Sequence, residues 1–587
     1  MRPIVVIVAL PLAACTPKTL ATFDSAAHES TDSGVVDSHA DSSVDSHGDT
    51  HADSLIDSAV DSVTDSQHDS PADTAPTTWR SSLYPVDWTP DYTADDGHFL
   101  HDFSYAGYRA GVDDPPDPVP GDPFDVTAYG ADNTGASDCT SAVQSAIDAA
   151  SAAVASGAST AAIVTFPAGT YRFDDIVSIT QSNVVLRGAG SDASYLYFTR
   201  YDGMSDTSDI TFTGAIAQGA GHLLVADGAN RAFTVLLADV SDLAVGDQVA
   251  VGWTITDEFV AEHGMTGTWT EFNGQWKSFF RRTITDVDAT SGTVTLDVPL
   301  RYDALMRDGA SLRVETGYLT EVGIQDLAVS TVNDWTAAWS GVDRTHAIGL
   351  VDVRDGWMSN VKSWESPLST DGRGKHLMSG GVIIEDSRRV TVAGCDLENA
   401  EDRGDNGNGY LYEVMRSNEV LTRDSIGANG RHNFIQNWDF GTTGCVWLRD
   451  NSSGGRAYLA DWDPIGYAAY SEFHHSLAMA NLIDDTVASD GWQGVNRQTE
   501  STGAGLTLTQ SCFWNISGGG YLRSLQYGDG YVIGTDGMDI HVDPTEWDWE
   551  NAGEGTDPED WTEGLDAATT LEPQSLYEDQ LARRLAR

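Results

Sequence analysis

The sequence is short of cysteine. Only five cysteines occur in 587 residues. Apart from Cys15 they stand far apart, at Cys139, Cys395, Cys445 and Cys512. No two of them have the Cys-x-x-Cys spacing that is typical of zinc sites and redox motifs, so a cysteine-based zinc module is disfavoured. An exported location would permit disulfide bonds between these cysteines.

Basic residues are also scarce. The chain has 32 Lys and Arg against 89 Asp and Glu, which gives a formal net charge of −57 and a pI near 4.2. Nucleic-acid-binding proteins need a basic footprint for the phosphates, so this balance argues against nucleic acid as a partner. The same charge also stands against a polyanionic sugar as the substrate.

Long apolar runs are confined to the first fifteen residues, MRPIVVIVALPLAAC. A basic residue followed by a short apolar run is the order of an export signal, and the run is too short to span a bilayer. Leu12-Ala13-Ala14-Cys15 resembles a bacterial lipoprotein box, in which the cysteine becomes lipidated. The resemblance implies a protein that is anchored through Cys15 to the bacterial outer membrane or cell surface.

An aspartate recurs every fourth residue from Asp37 to Asp73, as in DSHA, DSSV and DSHG. Few large apolar side chains accompany these aspartates, so no core can offset the entropy of ordering the segment. We therefore predict a disordered tether over residues 16–78, between the signal at 1–15 and a folded part that begins near Trp79.

The remaining chain favours β structure, because its 58 glycines accompany short apolar alternations that are broken by Gly, Asn and Asp. Six segments share a small residue followed by Asn or Cys, at intervals that are typical of solenoid coils. They are centred on Asn360, Cys395, Asn418, Cys445, Asn481 and Cys512. The pattern predicts one ladder of inward Asn and Cys side chains that stack from coil to coil.

Three stretches in order, FDVTAYGADNTGASDCTSAVQSAIDAA, AAIVTFPAGTYRF and SNVVLRGAGSDASYLYF, resemble the opening of pectate lyase superfamily proteins. The resemblance implies an all-β fold, a right-handed single-stranded parallel β-helix. Asp138 is expected to cap a helix from Thr140 to Ala150 that covers the first coil. The same opening fronts lyases, hydrolases, epimerases and phage tailspikes, so it implies the fold and not the reaction.

Residues 205–320 depart from the coil pattern. Their alternations with Gly-Asp and Ser-Gly turns predict hairpins, and hence a small β-rich insertion between first coils at 79–204 and main coils at 321–545. Residues 546–587 are expected to form a cap or tail. Trp269 and Trp276 either stack on sugar rings or belong to the core of the insertion, and Trp492 and Tyr527 are further candidates for sugar binding.

Polar residues concentrate in the later coils, above all in EFHHSLAMANLIDD at 472–485. Strand alternation separates His474 from His475, so at most one of them is expected to be functional. Asp484 and Asp485 fall at a turn, where they are acid–base catalysts, calcium ligands or members of a turn ladder. The candidate catalytic residues are His432, His474, Arg431, Arg497, Asp484, Asp485 and Asp490.

A second acidic stretch, ENAEDRGDNGNG, offers Asp402 and Asp405 as candidate ligands for Ca²⁺, with a solvated loop as the alternative. Calcium is the cofactor that these patterns favour, and zinc held by His474, His475 and an aspartate is disfavoured because neighbouring histidines of a strand point apart. The Asn-Thr-Asp, Gly-His-Gly and Arg-Ile-Lys motifs of polygalacturonase-type hydrolases are missing, so no role is transferred from them.

The first hypothesis is a polysaccharide lyase for a uronic-acid-containing glycan. In it His432 or His474 takes the proton, and Arg431 and Arg497 hold the carboxylate. The second is a glycoside hydrolase that uses paired carboxylates. The third is a non-catalytic glycan-binding or adhesive protein. In each case the partner is a polysaccharide, and contact with a membrane is expected only through the lipid anchor.

Overall fold

Six stretches of the computed structural model are described, namely 77–331, 343–369, 374–404, 407–457, 467–543 and 559–587. Contacts divide the chain into two units, Met1–Asp73 and Thr74–Arg587. Every described residue belongs to the second unit. Within these stretches, no helix combines the length and the apolar character that a membrane span requires.

Parallel strands in two sheets build the β-helix. The larger sheet has 20 strands among the described residues, and it forms two walls because many coils contribute two strands to it. Its strands are Asp122–Asp125, Thr134–Asp138, Ala162–Phe166, Gly169–Phe173, Val184–Gly188, Ser194–Phe198, Leu319–Thr320, Gly323–Ser330, Val353–Ser363, Arg388–Ala393, Asp396–Glu398, Leu421–Arg423, Ile426–Ala428, Val446–Leu448, Asn451–Ser453, Leu482–Asp484, Val487–Ala488, Cys512–Ser517, Tyr531–Asp536 and Trp561–Glu563.

A second parallel sheet, here called the site sheet, forms the remaining wall with ten strands among the described residues. They are Val177–Ile179, Ser208–Thr213, His346–Val351, Gly380–Glu385, Tyr410–Met415, His432–Asn437, Ser471–Phe473, Trp492–Gly494, Tyr521–Ser524 and Asp539–His541. Between the walls runs one continuous apolar core, in which Tyr412 stacks on Phe434 and Phe434 on Trp492. The predicted fold class is confirmed.

Polar ladders run along the corners, but the single Asn and Cys ladder predicted from the sequence is wrong. At one corner the Cys445 amide donates to Asn481 Oδ1 at 2.9 Å, and the Asn481 amide donates to Ser511 Oγ at 2.9 Å. At another corner the Cys395 amide donates to Ser425 Oγ at 3.2 Å. Asn360 is exposed on the surface. Serine and asparagine accept the same backbone bond, so residue identity alone does not define the register.

The helices cover the start and one outer wall of the solenoid. Thr140–Ala155 packs on the first coils, and the Thr140 amide donates to the carboxylate of Asp138 at 3.0 Å. The C-terminal helix Leu576–Leu585 packs with the segment from Trp79 to Ala106 against the later strands of the larger sheet. The shorter helical segments are Tyr108–Gly111, Val126–Tyr129, Asp257–Glu262, Met306–Asp308, Glu500–Gly503 and Ala568–Thr570.

The insertion is an antiparallel sheet of six strands among the described residues. They are Ala217–Leu223, Thr234–Leu236, Gln248–Thr254, Trp276–Asp288, Thr293–Leu296 and Ser311–Thr316. Its core continues into the later coils through Phe440, Leu477 and Leu506. Two further strand pairs lie outside the three sheets. They are Arg456–Ala457 with Tyr467–Ala468, and Ala478–Met479 with Leu508–Thr509.

Candidate functional site

Two histidines and a glutamate meet on the site sheet. His432 begins one strand, Glu472 lies in the middle of the next, and His474 follows directly after it. Their exposed fractions are 6 %, 2 % and 6 %. The nitrogen and oxygen atoms that they offer to a ligand all lie within 4.8 Å of one another. Glu472 is the residue that sequence reasoning left without a role, and we call the three side chains the His-Glu-His cluster.

Glu472 is the centre of the cluster. His474 Nδ1 and Gln493 Nε2 both contact its carboxylate, and His432 Nε2 lies 3.4 Å from its Oε1. Burial alone would raise the pKa of Glu472, but the two histidines and Arg497 hold it well below its usual range. The carboxylate is therefore ionised at neutral pH.

The two imidazoles are neutral at neutral pH. Burial lowers the pKa of His432 to about 4, and burial together with Arg497 lowers the pKa of His474. His432 Nδ1 lies 2.6 Å from the carbonyl oxygen of Tyr470. A carbonyl oxygen only accepts hydrogen bonds, so Nδ1 carries the proton and Nε2 presents its lone pair to the cluster.

Tyr410 completes one edge of the cluster. It lies directly beside His432 in the neighbouring strand, and its ring centre is 5.2 Å from that of His432 and 6.0 Å from that of His474. Burial raises the pKa of its phenol, so the hydroxyl keeps its proton at neutral pH. A neutral base and a protonated phenol are therefore neighbours here.

A second charged group lies two strands away on the same face, and sequence reasoning missed it. Glu413 is fully buried, and its carboxylate contacts Arg344, His346 Nε2 at 2.8 Å and Asn437 Nδ2 at 2.8 Å. Burial opposes ionisation, but Arg344 and His346 lower the pKa of Glu413 to about 2. The signal in the sequence is a lone glutamate inside the apolar strand YLYEVM.

Arginines gather beside the cluster. Arg431 directly precedes His432 and is partly exposed, and Arg497 Nη1 donates to the carbonyl oxygen of His474 at 2.8 Å. The amide of the exposed Arg456 donates to Gly430 O at 2.9 Å, which places it next to Arg431. The structure thus brings together His432, His474, Arg431 and Arg497 of the predicted set.

The predicted aspartates lie elsewhere. Asp484 ends a strand of the larger sheet and is fully buried, where it accepts hydrogen bonds from Ser575 Oγ at 2.7 Å and from the amides of Leu576 at 3.1 Å and Tyr577 at 2.8 Å. It therefore holds the start of the C-terminal helix. This contact corrects the prediction that Asp484 is a turn residue with a catalytic or calcium-binding role.

Asp485 and Asp490 are also held in structural contacts. Asp485 has a φ of 51° at a turn and accepts a hydrogen bond from Asn515 Nδ2 at 2.9 Å, as in a turn ladder. Asp490 Oδ2 accepts a hydrogen bond from the amide of Gly455 at 2.8 Å. The backbone of Gly455 also lies next to the carbonyl oxygen of Arg431, which is how Asp490 comes near that residue. Its carboxylate also accepts hydrogen bonds from Asn433 Nδ2 at 2.7 Å and Ser452 Oγ at 2.7 Å.

His475 does not join the cluster. Its Nε2 donates to the carbonyl oxygen of Ser501 at 2.7 Å, and its ring packs against Trp438 and Phe272. Phe272 belongs to the insertion, so this part of the insertion reaches the coil that carries the cluster. The two histidines differ in their partners, but both follow the end of the strand Ser471–Phe473, so strand alternation is not the cause of the difference.

The predicted sugar-binding tryptophans are mostly core residues, which corrects that prediction. Trp269 is fully buried in the core of the insertion and donates to Ala504 O at 3.1 Å, and Trp492 is buried in the core of the solenoid. Trp276 is half-buried under the guanidinium of Arg313, at 3.9 Å. Tyr527 is half-buried, and its ring lies 4.2 Å from that of His263. Trp269 and Trp492, whose rings are fully buried, cannot stack on a sugar.

The remaining predictions concern calcium and the lipid anchor. Asp402 is buried, and its Oδ1 accepts a hydrogen bond from the amide of Gly404 at 2.9 Å. Asp405 and Cys15 lie outside the described residues. Calcium binding and lipidation stay predictions. The four cysteines of the described stretches are buried and unpaired.

Comparisons with known proteins agree with this architecture. The family model described as Rhamnogalacturonase A/epimerase, pectate lyase-like, matches residues 124–262, which include the cap helix and first coils. With the parallel β-helix, this match confirms the predicted resemblance to pectate lyase-like proteins. No curated protein matches the chain.

Solved structures give three examples of similar chains. The Gp54 tailspike of Acinetobacter baumannii bacteriophage AP22, in complex with capsular saccharide, is 10% identical with a TM-score of 0.44, over 79% of this chain and 63% of the tailspike. The tailspike gp49 of Pseudomonas phage LKA1 is 14% identical with a TM-score of 0.35, over 71% and 76%. The exopolygalacturonase of Thermotoga maritima is 10% identical with a TM-score of 0.32, over 79% and 95%. The chain thus spans less than two thirds of the first tailspike.

Proposed function

We propose that the protein is a polysaccharide lyase that cleaves a uronic-acid-containing glycan by β-elimination. The observation that carries the proposal is the set of arginines beside the His-Glu-His cluster. Arg431 and Arg497 lie there in a chain whose formal net charge is −57. Arginine binds carboxylates with a planar pair of N–H donors, so this edge suits an anionic sugar. The overall acidity of the chain therefore does not oppose such a substrate.

The cluster supplies the groups that an elimination needs. His432 Nε2 removes the proton from the carbon next to the sugar carboxylate. The electron pair of that bond forms the new carbon–carbon double bond, and the bond to the glycosidic oxygen breaks. Tyr410 donates its proton to the departing oxygen, while Arg497 and Arg431 stabilise the charge on the carboxylate.

One observation favours a hydrolase as the second candidate. Glu413 and Glu472 occupy equivalent positions two strands apart, so their backbones are about 10 Å apart at the usual strand spacing. Inverting hydrolases use two carboxyl groups at a comparable separation, but one of them must be protonated to act as the general acid. The contacts of Glu413 and Glu472 hold the pKa of both carboxyl groups below the ordinary range, so both are ionised. The lyase is therefore the better proposal.

A polysaccharide panel tests the choice. The purified protein is incubated with uronic-acid-containing and neutral glycans, and both ultraviolet absorbance of unsaturated products and new reducing ends are followed. The lyase produces both signals, whereas a hydrolase produces reducing ends alone. Retained binding without either signal would support the adhesive alternative and contradict the lyase.

Variants test the assigned roles. His432→Gln and Tyr410→Phe are each expected to lower kcat by about 100-fold or more, because general acid–base groups commonly contribute that much. His222→Gln is the matched control, since His222 lies in the insertion, where its Nδ1 donates to Asp239 O at 3.2 Å. Full activity of His432→Gln would remove this histidine from the mechanism.

A further inference from the structure

We propose that the His-Glu-His cluster binds a divalent transition-metal ion. It is the one group of three His, Cys, Asp or Glu side chains with converging ligand atoms that the described stretches contain. Two imidazoles and one carboxylate, with a further position for water or another ligand, form a donor set that proteins commonly use for zinc.

The hydrogen bonds of His432 carry the inference. Because its Nδ1 proton is donated to Tyr470 O, the lone pair on Nε2 faces Glu472 Oε1 at 3.4 Å. The carboxylate oxygen is a ligand atom as well, and the two atoms belong to a group whose ligand atoms all lie within 4.8 Å of one another. A cation between the two atoms satisfies both.

The spacing suits a zinc ion. Zinc bonds of about 2.0–2.1 Å in a tetrahedral site place the ligand atoms about 3.3 Å apart. The gap of 3.4 Å between His432 Nε2 and Glu472 Oε1 agrees with this separation. His474 Nδ1 contacts Glu472 more closely, so its ring has to move outward slightly when the ion enters.

Neighbouring groups orient the ligands as they do in known metal sites. There, a ligating histidine usually donates a hydrogen bond from its second ring nitrogen to an oxygen. The second nitrogen of His432 lies on Tyr470 O, and Ser501 Oγ lies 3.4 Å from the second nitrogen of His474. Gln493 Nε2 donates to the other oxygen of Glu472. Both histidines thus point their remaining nitrogen at the same carboxylate.

The donor set selects a transition metal over calcium. Calcium takes six to eight oxygen ligands, whereas two of the three groups here are imidazoles. This site is therefore distinct in chemistry from the calcium site predicted at Asp402 and Asp405.

Metal binding regulates the reaction if the lyase proposal holds, and this part of the inference rests on that proposal. The ion takes the Nε2 lone pair of His432, which is also the lone pair that removes the substrate proton. Bound zinc is therefore expected to inhibit the elimination, and a chelator to restore it. An enzyme that is more active with zinc would overturn His432 as the base and leave the metal site in place.

The metal site is tested without reference to activity. The full chain is stripped with a chelator and titrated with Zn²⁺ by calorimetry, and Co²⁺ is added separately to record its visible absorption. Asp485→Asn serves as the control variant, because Asp485 lies at a turn of the larger sheet. Histidines of the N-terminal repeat, such as His39, His47, His51 and His68, contribute a background that is common to all variants.

The expected result is one zinc ion whose affinity falls by at least tenfold in Glu472→Gln and in His432→Gln but not in Asp485→Asn. Circular dichroism checks that each variant is folded. A Co²⁺ spectrum typical of four-coordinate nitrogen and oxygen ligands, lost in both cluster variants, supports the proposal. Zinc binding that is absent, or that is the same in all four proteins, overturns it.

Discussion

Replacement of Asp484 by alanine is expected to loosen the C-terminal helix. The buried carboxylate of Asp484 accepts from Ser575 Oγ, Leu576 N and Tyr577 N at 2.7, 3.1 and 2.8 Å. These donors stand at the first turn of the helix Leu576–Leu585, where backbone N–H groups have no partner within the helix. Asp484 therefore ties the start of this helix to the larger sheet.

The expected loss in the stability of the helix follows from the three donors that lose their acceptor when Asp484 is replaced. All three residues at the start of the helix are buried, with exposed fractions of 6 %, 0 % and 3 %, so water cannot replace the carboxylate freely. A buried donor without a partner costs about 1–3 kcal/mol. Burial raises the pKa of Asp484 to about 7, so removal of this costly carboxyl group offsets part of the sum. We expect a net loss of about 3 kcal/mol, more than the roughly 2 kcal/mol of the strongest helix caps, because three donors lose the same acceptor.

Hydrogen exchange of residues 576–585 measures the effect directly. Exchange in this helix should accelerate by about 100-fold in Asp484→Ala, while exchange in the site sheet stays unchanged. Asp484→Asn keeps one acceptor oxygen and should show a smaller effect. The control is Asp485→Asn, because this carboxylate accepts from Asn515 and not from the helix amides, and asparagine tolerates the φ of 51°. If helix exchange is unchanged and cleavage of glycan is lost in folded Asp484→Ala, the structural role is wrong.

Three further changes test other parts of the structure. Trp269→Ala should lower the free energy of unfolding by about 3–5 kcal/mol, since this ring is fully buried; calorimetry measures this, and a changed KM with full stability would contradict it. Because the folded pKa of Glu413, about 2, lies below its ordinary 4.5, its ionisation stabilises the fold above pH 4.5, and this stability is lost as pH falls towards 2. The free energy of unfolding, measured with denaturant at each pH in this range, should depend less steeply on pH in Glu413→Gln. An unchanged pH dependence would refute the assignment. Tyr521 is 41% exposed on the site sheet, so its ring is free to stack on a sugar. Tyr521→Ala should therefore raise KM about five-fold, which corresponds to ~1 kcal/mol of binding, without a change in kcat. An equal loss of kcat would contradict a binding role.

Local signals in the sequence were sufficient for the fold. FPAGTYRF predicts a strand, a turn and a strand, and the structure has Ala162–Phe166 and Gly169–Phe173 on either side of that turn. The helix after Asp138 extends to Ala155, beyond the predicted end at Ala150, because alanines continue without a breaker. These features depend on neighbours in the chain, so they can be inferred from short stretches.

Contacts between distant segments could not be inferred in this way. Asp484 was predicted as a turn residue with a catalytic, calcium-binding or turn-ladder role, but it ends a strand of the larger sheet and is fully buried. Its partners Ser575 and Tyr577 come about ninety residues later. Nothing local marks that pairing. The contacts of Trp269 could not be inferred from nearby residues either, because its indole donates to Ala504 O, far along the chain. Packing in the core of the insertion buries this ring and makes it unavailable to a sugar.

The register of the site sheet explains why the chemistry gathers where it does. Glu413, Ile435, Glu472, Gln493 and Arg523 occupy one column, with one residue from each successive strand. The apolar Ile435 separates the two glutamates, which limits their repulsion, so Glu413 pairs with Arg344 and Glu472 with the two histidines of the cluster.

The column continues beyond the cluster into a more exposed rung. The guanidinium of Arg523 lies 4.7 Å from the rings of both Tyr470 and Tyr521. A linear polymer that lies along the solenoid axis meets the rungs one after another, about 4.8 Å apart. The His-Glu-His cluster and the tyrosine–arginine rung are therefore placed to act on successive parts of one chain, and a glycan too short to reach both should lose affinity before it loses reactivity.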